Sequence, residues 1–265
     1  MILEEIAAKT KIRVEEQKRK RSLEEIRREA EQFPHRRKQE PFAFEKALRG
    51  EPVSFICEVK KASPSKGVIV QDFPYLKIAR EYEEAGASAI SVLTEPFYFQ
   101  GSDNYLMQIA ESVQIPVLRK DFTVDAYQIY EAKRLGASAI LLICALLDTD
   151  TLREYRGIAE ELGMSALVEA HTEEEVESAL RSGARIVGVN NRNLKTFQVD
   201  LTTTERLRGL VPPEIVFVSE SGIRGRDEIE RLQKIGTNAV LIGETFMRSE
   251  DKKKQLAILR GECTA

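Results

Sequence analysis

The sequence of 265 residues has few of the residues from which metal sites and disulfide frameworks are built. It contains three cysteines and two histidines. The cysteines lie far apart, at positions 57, 144 and 263, so neither a disulfide framework nor a cysteine-bound metal is expected. We therefore predict a protein without a metal site, in the reducing environment of the cytoplasm.

Long apolar runs and an excess of one charge are also missing. No apolar stretch approaches the roughly 18–20 residues of a membrane span, and the charged start MILEEIAAKTKIRVEE is unlike a secretion signal. The net charge of −3 gives no general attraction to nucleic acid or to a membrane surface. The basic run Lys18–Arg21 is explained by a solvated helix face. We expect neither nucleic acid nor a membrane as a partner.

What the sequence does contain is a repeat with a period of about 50 residues. EAGASAISVL at Glu84–Leu93 returns as RLGASAILLI at Arg134–Ile143, and weaker copies begin at Arg181 and Lys234. Each copy is typical of a helix end, a glycine cap, a short turn and a buried strand. A βα unit takes only about 30 residues, so each interval has room for two.

Four further apolar segments supply the strands between these copies: SFICEVK, IPVLRKD, MSALVEA and EIVFVSE. Eight buried strands alternating with amphipathic helices predict an α/β protein, a (β/α)8 TIM barrel formed by residues 54–260. A doubly wound open sheet is the alternative. It is disfavoured because the repeat continues evenly through the eighth strand and no G-x-G-x-x-G follows the first strand.

About 50 residues precede the first strand and belong to no βα unit. Residues 2–20 have a helical pattern, and SLEE at Ser22–Glu25 has the form of a capping box. FAFEKALRG predicts a short third helix that ends at Gly50. We predict that residues 1–50 are a helical extension covering one mouth of the barrel, and that residues 1–265 form a single domain.

Ionisable and polar residues stand at the carboxyl ends of most predicted strands, where barrels have their active sites. In chain order they are Glu58, Lys60, Lys120, Asp121, Glu169, Asn190, Arg192, Glu220, Ser221, Gly222 and Gly243. One such group is usually part of a structural ion pair. Several in one mouth shift one another's pKa, and acid–base catalysis uses such shifts, so we predict an active site here.

The loops after the last two strands have the small residues with which barrels often bind phosphate. Gly222 and Gly243 let the backbone N–H groups approach an anion closely, and we expect the Glu244 side chain to point away from it. In the SPSKG loop after the first strand, Ser63 can add a hydroxyl and Lys66 a positive charge. These loops predict a phosphorylated small-molecule substrate.

At these residues the sequence resembles the indole-3-glycerol phosphate synthase family of tryptophan biosynthesis. The matching stretches are EVKKASPSKG, SVLTEPFYFQGS, VLRKDF, ALVEAH, GVNNRNLKTFQVDL and VSESGI. The resemblance implies a monofunctional lyase that needs no cofactor. Its reaction would be ring closure, decarboxylation and dehydration of 1-(2-carboxyphenylamino)-1-deoxyribulose 5-phosphate, giving indole-3-glycerol phosphate, CO2 and water.

The same resemblance implies catalytic roles for particular residues. Lys120 resembles the general acid of ring closure, and Lys60 resembles the lysine that binds substrate and acts in dehydration. Glu169 resembles the base or proton shuttle, while Glu58 and Asn190 resemble the pair that orients the lysines and the substrate hydroxyls. Whether the lysine pKa values are lowered by burial and mutual repulsion or raised by the glutamates stays open.

A second set of residues is implied to hold the substrate. The phosphate and ligand shell comprises Ser63, Arg192, Ser221, Gly222, Gly243 and Glu244, with Ser221 also counted among the catalytic residues. Phe99, Phe122 and Leu142 are expected to form an apolar wall around the anthranilate ring, with simple packing as the alternative. Arg119 and Thr123 depart from the family pattern and are predicted to affect loop motion or product release.

Three alternatives to this function and assembly are open. Another phosphate-binding barrel enzyme, such as a phosphoribosyl isomerase or a tryptophan synthase α subunit, would not need Glu-x-Lys on the first strand together with RKDF on the third. A catalytically inactive barrel acting as a scaffold would not need Lys60, Lys120 and Glu169 together. We expect a monomer, with a weak homodimer as the alternative.

Overall fold

The computed structural model describes residues 2–33, 40–50, 52–193 and 196–263, and within them eight parallel strands close into a barrel. The strands are β1 Ser54–Val59, β2 Ala89–Leu93, β3 Val117–Lys120, β4 Ala139–Ile143, β5 Ser165–Ala170, β6 Ile186–Asn190, β7 Val216–Glu220 and β8 Ala239–Ile242. They follow one another around the barrel in chain order. Cys57 of β1 pairs with Ile242 of β8 and with Ile90 of β2, which closes the ring. The predicted (β/α)8 barrel is confirmed.

Helices precede the barrel and connect its strands. They are α1 Ile2–Lys20, α2 Leu23–Gln32, α3 Ala43–Leu48, α4 Tyr75–Glu84, α5 Asp103–Ser112, α6 Ala126–Arg134, α7 Thr149–Glu161, α8 Glu173–Arg181, α9 Thr202–Arg208, α10 Arg226–Lys234, α11 Glu244–Arg248 and α12 Lys252–Arg260. None of the helices in the described ranges is long and apolar enough to cross a membrane.

The glycine of each repeat copy lies just after a helix, as its sequence position suggested. Gly86, Gly136, Gly183 and Gly236 have φ values of 91°, 86°, 85° and 78°. These values lie in the left-handed region, which glycine adopts without the steric cost of a Cβ atom. The repeat is therefore a repeated turn from a helix into a buried strand.

Each strand separates two apolar cores because its side chains alternate between the two faces. On β4, Leu141 and Ile143 belong to the cluster inside the barrel, with Leu118 of the neighbouring strand β3. Ile140 and Leu142 belong instead to the cluster between the strands and the helices. This alternation decides which residues at a strand end can reach the cavity described below.

The N-terminal extension contacts both ends of the barrel, whereas the sequence suggested one. From α1, Leu3 and Ile6 line the cavity at the carboxyl ends of the strands. From α3, Phe44 and Leu48 are fully buried in the interior cluster, and the backbone N–H of Glu45 donates to Ser165 Oγ at the start of β5. Helix α2 packs on α6 between them. The extension thus covers the floor of the barrel and part of its opening.

Candidate active site

A cavity of about 360 Å³ opens where the barrel strands end. The predicted site residues that line it are Glu58, Lys60, Ser63, Phe99, Lys120, Phe122, Glu169, Asn190, Arg192, Ser221, Gly222, Gly243 and Glu244. They come from distant parts of the chain, and the parallel order of the strands brings them to one end of the barrel. Two residues expected at the site, Leu142 and Lys66, are not part of the cavity lining.

Lys120, the last residue of β3, lies between two buried carboxylates. Its Nζ atom is 3.1 Å from Glu169 Oε2 on β5 and 3.5 Å from Glu220 Oε2 on β7. Burial alone would lower the pKa of the ammonium group, but Glu169, Glu220 and Glu58 outweigh this and raise the pKa. The question left open by the sequence is thereby answered for Lys120, which carries a proton in the free protein.

Glu169 is held in its ionised form. Burial favours the neutral acid, but the positive charges of Lys120 and His171 outweigh it and lower the Glu169 pKa. Its second oxygen, Oε1, accepts a hydrogen bond from Asn190 Nδ2 at 3.3 Å. Because one oxygen of Glu169 contacts Lys120 and the other contacts Asn190, the carboxylate has a defined orientation toward the cavity.

Glu220 received no role from the sequence although its place at a strand end was visible. It is buried, and its Oε1 atom has no hydrogen-bond partner among the residues that the structure describes. Burial raises the pKa of Glu220 to about 8, against the opposing effect of Lys120. Gly188 on β6 makes room for it, since a Cβ there would lie 2.4 Å from Oε1. The sequence does contain one indication of this close approach, the glycine at position 188 inside an apolar strand.

Glu58 and Lys60 form the second ion pair of the cavity. Lys60 Nζ donates to Glu58 Oε2 at 2.5 Å, and both side chains reach the cavity at the end of β1. Gly243 lies against this pair: a Cβ there would be 2.4 Å from Glu58 Oε2 and 2.9 Å from Lys60 Nζ. The absence of a side chain at Gly243 is therefore needed for the ion pair itself, which the sequence analysis did not foresee.

The loop after β7 has the backbone shape expected for an anion site. Ser221 and Gly222 both have positive φ, 68° and 85°. Consecutive residues in such turn conformations can point their N–H groups into one concave surface. A Cβ on Gly222 would lie 2.5 Å from Val199 Cγ1 of the loop after β6, so this close approach requires glycine.

Positive groups lie near Glu244, which follows β8, and along the cavity lining. Glu244 Oε1 is 3.6 Å from Lys66 Nζ and 3.1 Å from Arg248 Nε, so its carboxylate is engaged by two positive groups. Arg192 also lines the cavity and donates from Nη1 to the Phe197 carbonyl. Two further lining arginines, Arg224 and Arg248, were not singled out from the sequence. The positive charge is suited to a phosphate group.

The apolar wall of the cavity differs from the prediction in one residue. Phe99 and Phe122 both line the cavity, with ring centroids 6.0 Å apart. The assignment of Leu142 was wrong, because its side chain faces the helices and is fully buried there. Its neighbours Leu141 and Ile143 face the cavity instead. The sequence thus predicts the correct strand end but the wrong one of its alternating positions.

Helix α1 completes the wall with residues that sequence reasoning missed. Ile2, Leu3 and Ile6 line the cavity from above the strand ends. They were visible only as apolar positions of a helix remote from the barrel motifs. No group of three or more His, Cys, Asp or Glu side chains in the described ranges is arranged to hold a metal ion.

These features define a class of protein. Two lysines and three glutamates gathered at the carboxyl end of a (β/α)8 barrel can exchange protons with a ligand in the cavity. The glycine-rich loop and its surrounding arginines suit a phosphate, and the aromatic side suits a flat apolar group. The class is a TIM-barrel acid–base enzyme for a phosphorylated small molecule.

The family follows from comparison with known proteins. The family model for indole-3-glycerol phosphate synthase matches residues 3–259. The indole-3-glycerol phosphate synthase of Ruminiclostridium cellulolyticum is 61% identical over 261 residues, covering 98% of this chain and 99% of that protein. The one from Endomicrobium trichonymphae is 54% identical over 260 residues, covering 98% and 100%. The chain belongs to the indole-3-glycerol phosphate synthase family, the carboxy-lyases of tryptophan biosynthesis.

Solved structures of other barrels are similar in fold alone. The tryptophan synthase α-subunit of Pyrococcus furiosus, in a mutant form, has a TM-score of 0.59 at 18% identity, covering 78% of this chain and 98% of that one. Thiamine phosphate pyrophosphorylase from the same organism has a TM-score of 0.60 at 18% identity, covering 81% and 96%. The family assignment therefore rests on the sequence relatives.

Proposed function

We propose that Lys120 is the general acid for ring closure of 1-(2-carboxyphenylamino)-1-deoxyribulose 5-phosphate. The observation that carries this proposal is the position of its Nζ atom in the cavity, 3.1 Å from Glu169 and 3.5 Å from Glu220. The raised pKa of Lys120 supports the role, because a general acid must carry its proton before the reaction begins.

In ring closure, the ring carbon that bears the carboxylate forms a bond to the ribulose carbonyl carbon. The carbonyl oxygen gains negative charge as its double bond opens, and Lys120 gives it a proton. The carbon–carbon bond to the carboxylate then breaks, and its electron pair returns to the ring as CO2 leaves. One proton has been taken from Lys120, and the enzyme must replace it in each turnover.

Glu220 is suited to return that proton. Burial raises its pKa to about 8, so its carboxyl group takes up a proton more readily than an ordinary glutamate, and it lies 3.5 Å from Lys120 Nζ. A protonated acid beside a deprotonated amine favours transfer to the amine. We therefore include Glu220 among the catalytic residues, although the sequence analysis did not.

Dehydration needs an acid for the departing hydroxyl and a base for the proton lost from the closed ring. We assign the acid to Lys60, whose ammonium group is held by Glu58 at 2.5 Å. We assign the base to Glu169, whose lowered pKa keeps it ionised and whose orientation is fixed by Asn190. The proton removed and the proton supplied balance, and water leaves.

The phosphate is proposed to bind at the turn formed by Ser221 and Gly222, together with Gly243, which lines the same cavity. Ser63 on the first loop and Arg192 add polar groups to the lining of the same cavity. Glu244 supports the site indirectly, because its carboxylate holds Lys66 and Arg248 nearby. Phe99 and Phe122 are proposed to contact the anthranilate ring, in a part of the cavity lined by apolar residues.

We propose that the chain acts as a monomer in the cytoplasm. All the residues given catalytic roles come from one chain, so the cavity needs no partner copy to complete its chemistry. Light scattering during size-exclusion chromatography measures the state directly. A specific activity that falls on dilution, together with a dimer mass, would contradict the monomer.

The proposal is tested by following product fluorescence continuously with purified protein and the carboxyphenylamino-deoxyribulose phosphate. We expect indole-3-glycerol phosphate to form without added metal or cofactor. Thermal stabilisation by a substrate analogue with no turnover would instead favour an inactive binding barrel.

A further inference from the structure

His171 follows strand β5 directly, and its imidazole ring lies between two carboxylates. Its Nδ1 atom is 3.4 Å from Glu175 Oε2, in the first turn of α8. Its Nε2 atom is 3.7 Å from Glu169 Oε1. The backbone N–H of His171 also donates to Glu175 Oε2 at 2.7 Å, which fixes the residue at the start of the helix.

This geometry suits only one protonation state of the ring. A carboxylate accepts hydrogen bonds and donates none, and a neutral imidazole has a single N–H group. A neutral His171 would therefore turn a lone pair toward either Glu169 or Glu175. The imidazolium form presents an N–H to both, so the two carboxylates favour it.

The other charged groups around the ring act in the same direction. Glu220 on β7 adds negative charge, and Cys144 after β4 stays a neutral thiol because burial raises its pKa to about 12. Burial opposes the charge on His171, but Glu175 and Glu169 outweigh burial and raise its pKa. Lys120 is the opposing cation, on the other oxygen of Glu169. Within the described residues, Nε2 of His171 has no hydrogen-bond partner, so its interaction with Glu169 is electrostatic attraction between opposite charges.

We propose that His171 is a positioning residue for Glu169, holding that carboxylate ionised and oriented through its imidazolium charge. The inference rests on the proposed role of Glu169 as the base. The catalytic glutamate would then have a cation on each side, Lys120 in the cavity and His171 toward helix α8.

The sign of the effect follows from the charge. A base must be ionised, and Glu169 loses its charge as the pH falls through its lowered pKa. Removing the neighbouring cation raises that pKa, by about one unit for an opposite charge at this distance. His171→Gln should therefore move the acid limb of kcat/KM to higher pH by about one unit, with near wild-type activity at alkaline pH.

The kinetic experiment compares three variants over the same pH range. Glu175→Gln removes the outer partner and should move the limb in the same direction by a smaller amount. Glu177→Gln, on the same helix but exposed and paired with Arg181, is the matched control and should leave the limb unchanged. An equal fall in activity at every pH in His171→Gln would mean that His171 serves packing alone, and would overturn the proposal.

A second measurement does not depend on turnover. The chain has two histidines, and His35 lies outside the described residues, so His35→Gln leaves a single imidazole to follow by NMR. We expect this signal to titrate above the ordinary pKa of about 6.5, and to move down in a further Glu169→Gln variant. Titration at or below the ordinary value would overturn the proposal, whether or not the reaction assigned to Glu169 is correct.

Discussion

Two adjacent residues of strand β3 form ion clusters on opposite faces of the barrel wall. Lys120 points into the cavity and faces Glu169 and Glu220. Arg119 points toward the helices, and its guanidinium nitrogens donate to Thr94 Oγ1, the Gln128 carbonyl and two carboxylates on α5 and α6. Both clusters are buried, but one borders empty space and the other is enclosed by packed helices.

Arg119 and Glu220, the buried groups at the centre of the outer and inner clusters, differ in how fully their polar atoms are paired. Arg119 is 2% exposed, with Asp103 at 2.8 Å and Glu131 at 2.7 Å. Burial opposes its charge, but these carboxylates outweigh burial and raise its pKa. In the cavity, by contrast, Glu220 keeps an unpaired oxygen and a raised pKa. A fully paired group such as Arg119 stabilises the structure, while an incompletely paired one such as Glu220 leaves an atom available for a ligand.

The enclosed cluster also holds the N-terminal helix in place. Arg13 of α1 binds Asp121 Oδ2 at 2.7 Å, and Gln17 donates to Glu131 Oε1 at 2.9 Å. Arg119, at a position where the sequence departs from the family pattern, thus links β3 to its flanking helices. The carboxylate partners of Arg119 extend this link to α1. The predicted effect of Arg119 on loop motion stays untested, and nothing in the structure explains Thr123.

The largest expected effect breaks the inner cluster. Lys120→Ala should lower kcat by about 10²–10⁴-fold, the usual contribution of a general acid. The fold should persist because the cavity admits water to the remaining carboxylates. Steady-state kinetics with circular dichroism measure both quantities. Near-normal turnover would remove Lys120 from the acid role.

Arg119→Met breaks the outer cluster while keeping a side chain of similar length. It leaves Asp103, Glu131 and Asp121 without their common cation, and such a loss costs about 3–5 kcal/mol of unfolding free energy. Chemical denaturation measures the loss, and kcat of the folded fraction should change far less than in Lys120→Ala. If stability were unaffected and kcat fell instead, the division of roles between the two faces of β3 would be wrong.

Glu220→Gln sharpens the comparison through the pH dependence of stability. A carboxyl group with a folded pKa of about 8 binds more protons in the folded than in the unfolded state. Its contribution is therefore complete below its unfolded pKa and is lost as the pH rises through about 8. Relative to the wild type, Glu220→Gln should therefore gain about 1–3 kcal/mol of stability as the pH rises through about 8. Thermal melts at pH 5 and pH 9 measure this, and an equal difference at both would contradict it.

The smallest effect is expected at the rim of the cavity. Lys66 is 3.6 Å from Glu244, and both side chains are substantially exposed, at 45% and 34%. Exposed pairs contribute about 0–1 kcal/mol, so Lys66→Ala should scarcely change the melting temperature. Melting at low and high salt tests this, and a large loss would show that the pair is shielded when the protein is folded.

Much of the barrel could be predicted because its information is local. The repeated glycine turns, the apolar strand segments and the period of two along β1 identified the eight strands and brought Glu58 and Lys60 to one face. The strand ends likewise located Lys120, Glu169 and Asn190. Prediction from the sequence failed where the result depended on which face of the barrel wall a side chain occupies or on which residues it contacts. Leu142 faces the helices, and Glu220 received no role.

Local sequence patterns thus determined the strands, their turns and the end of the barrel where the ionisable residues gather. Only the tertiary structure decided which charges meet, because the partners of Lys120 come from β5 and β7. It also decided that the Lys120 pKa is raised, since burial and three carboxylates act on it in opposite directions. The ion pairs and the pKa values depend on distances and burial across the closed barrel. Residues that are remote in the sequence determine these distances and this burial together.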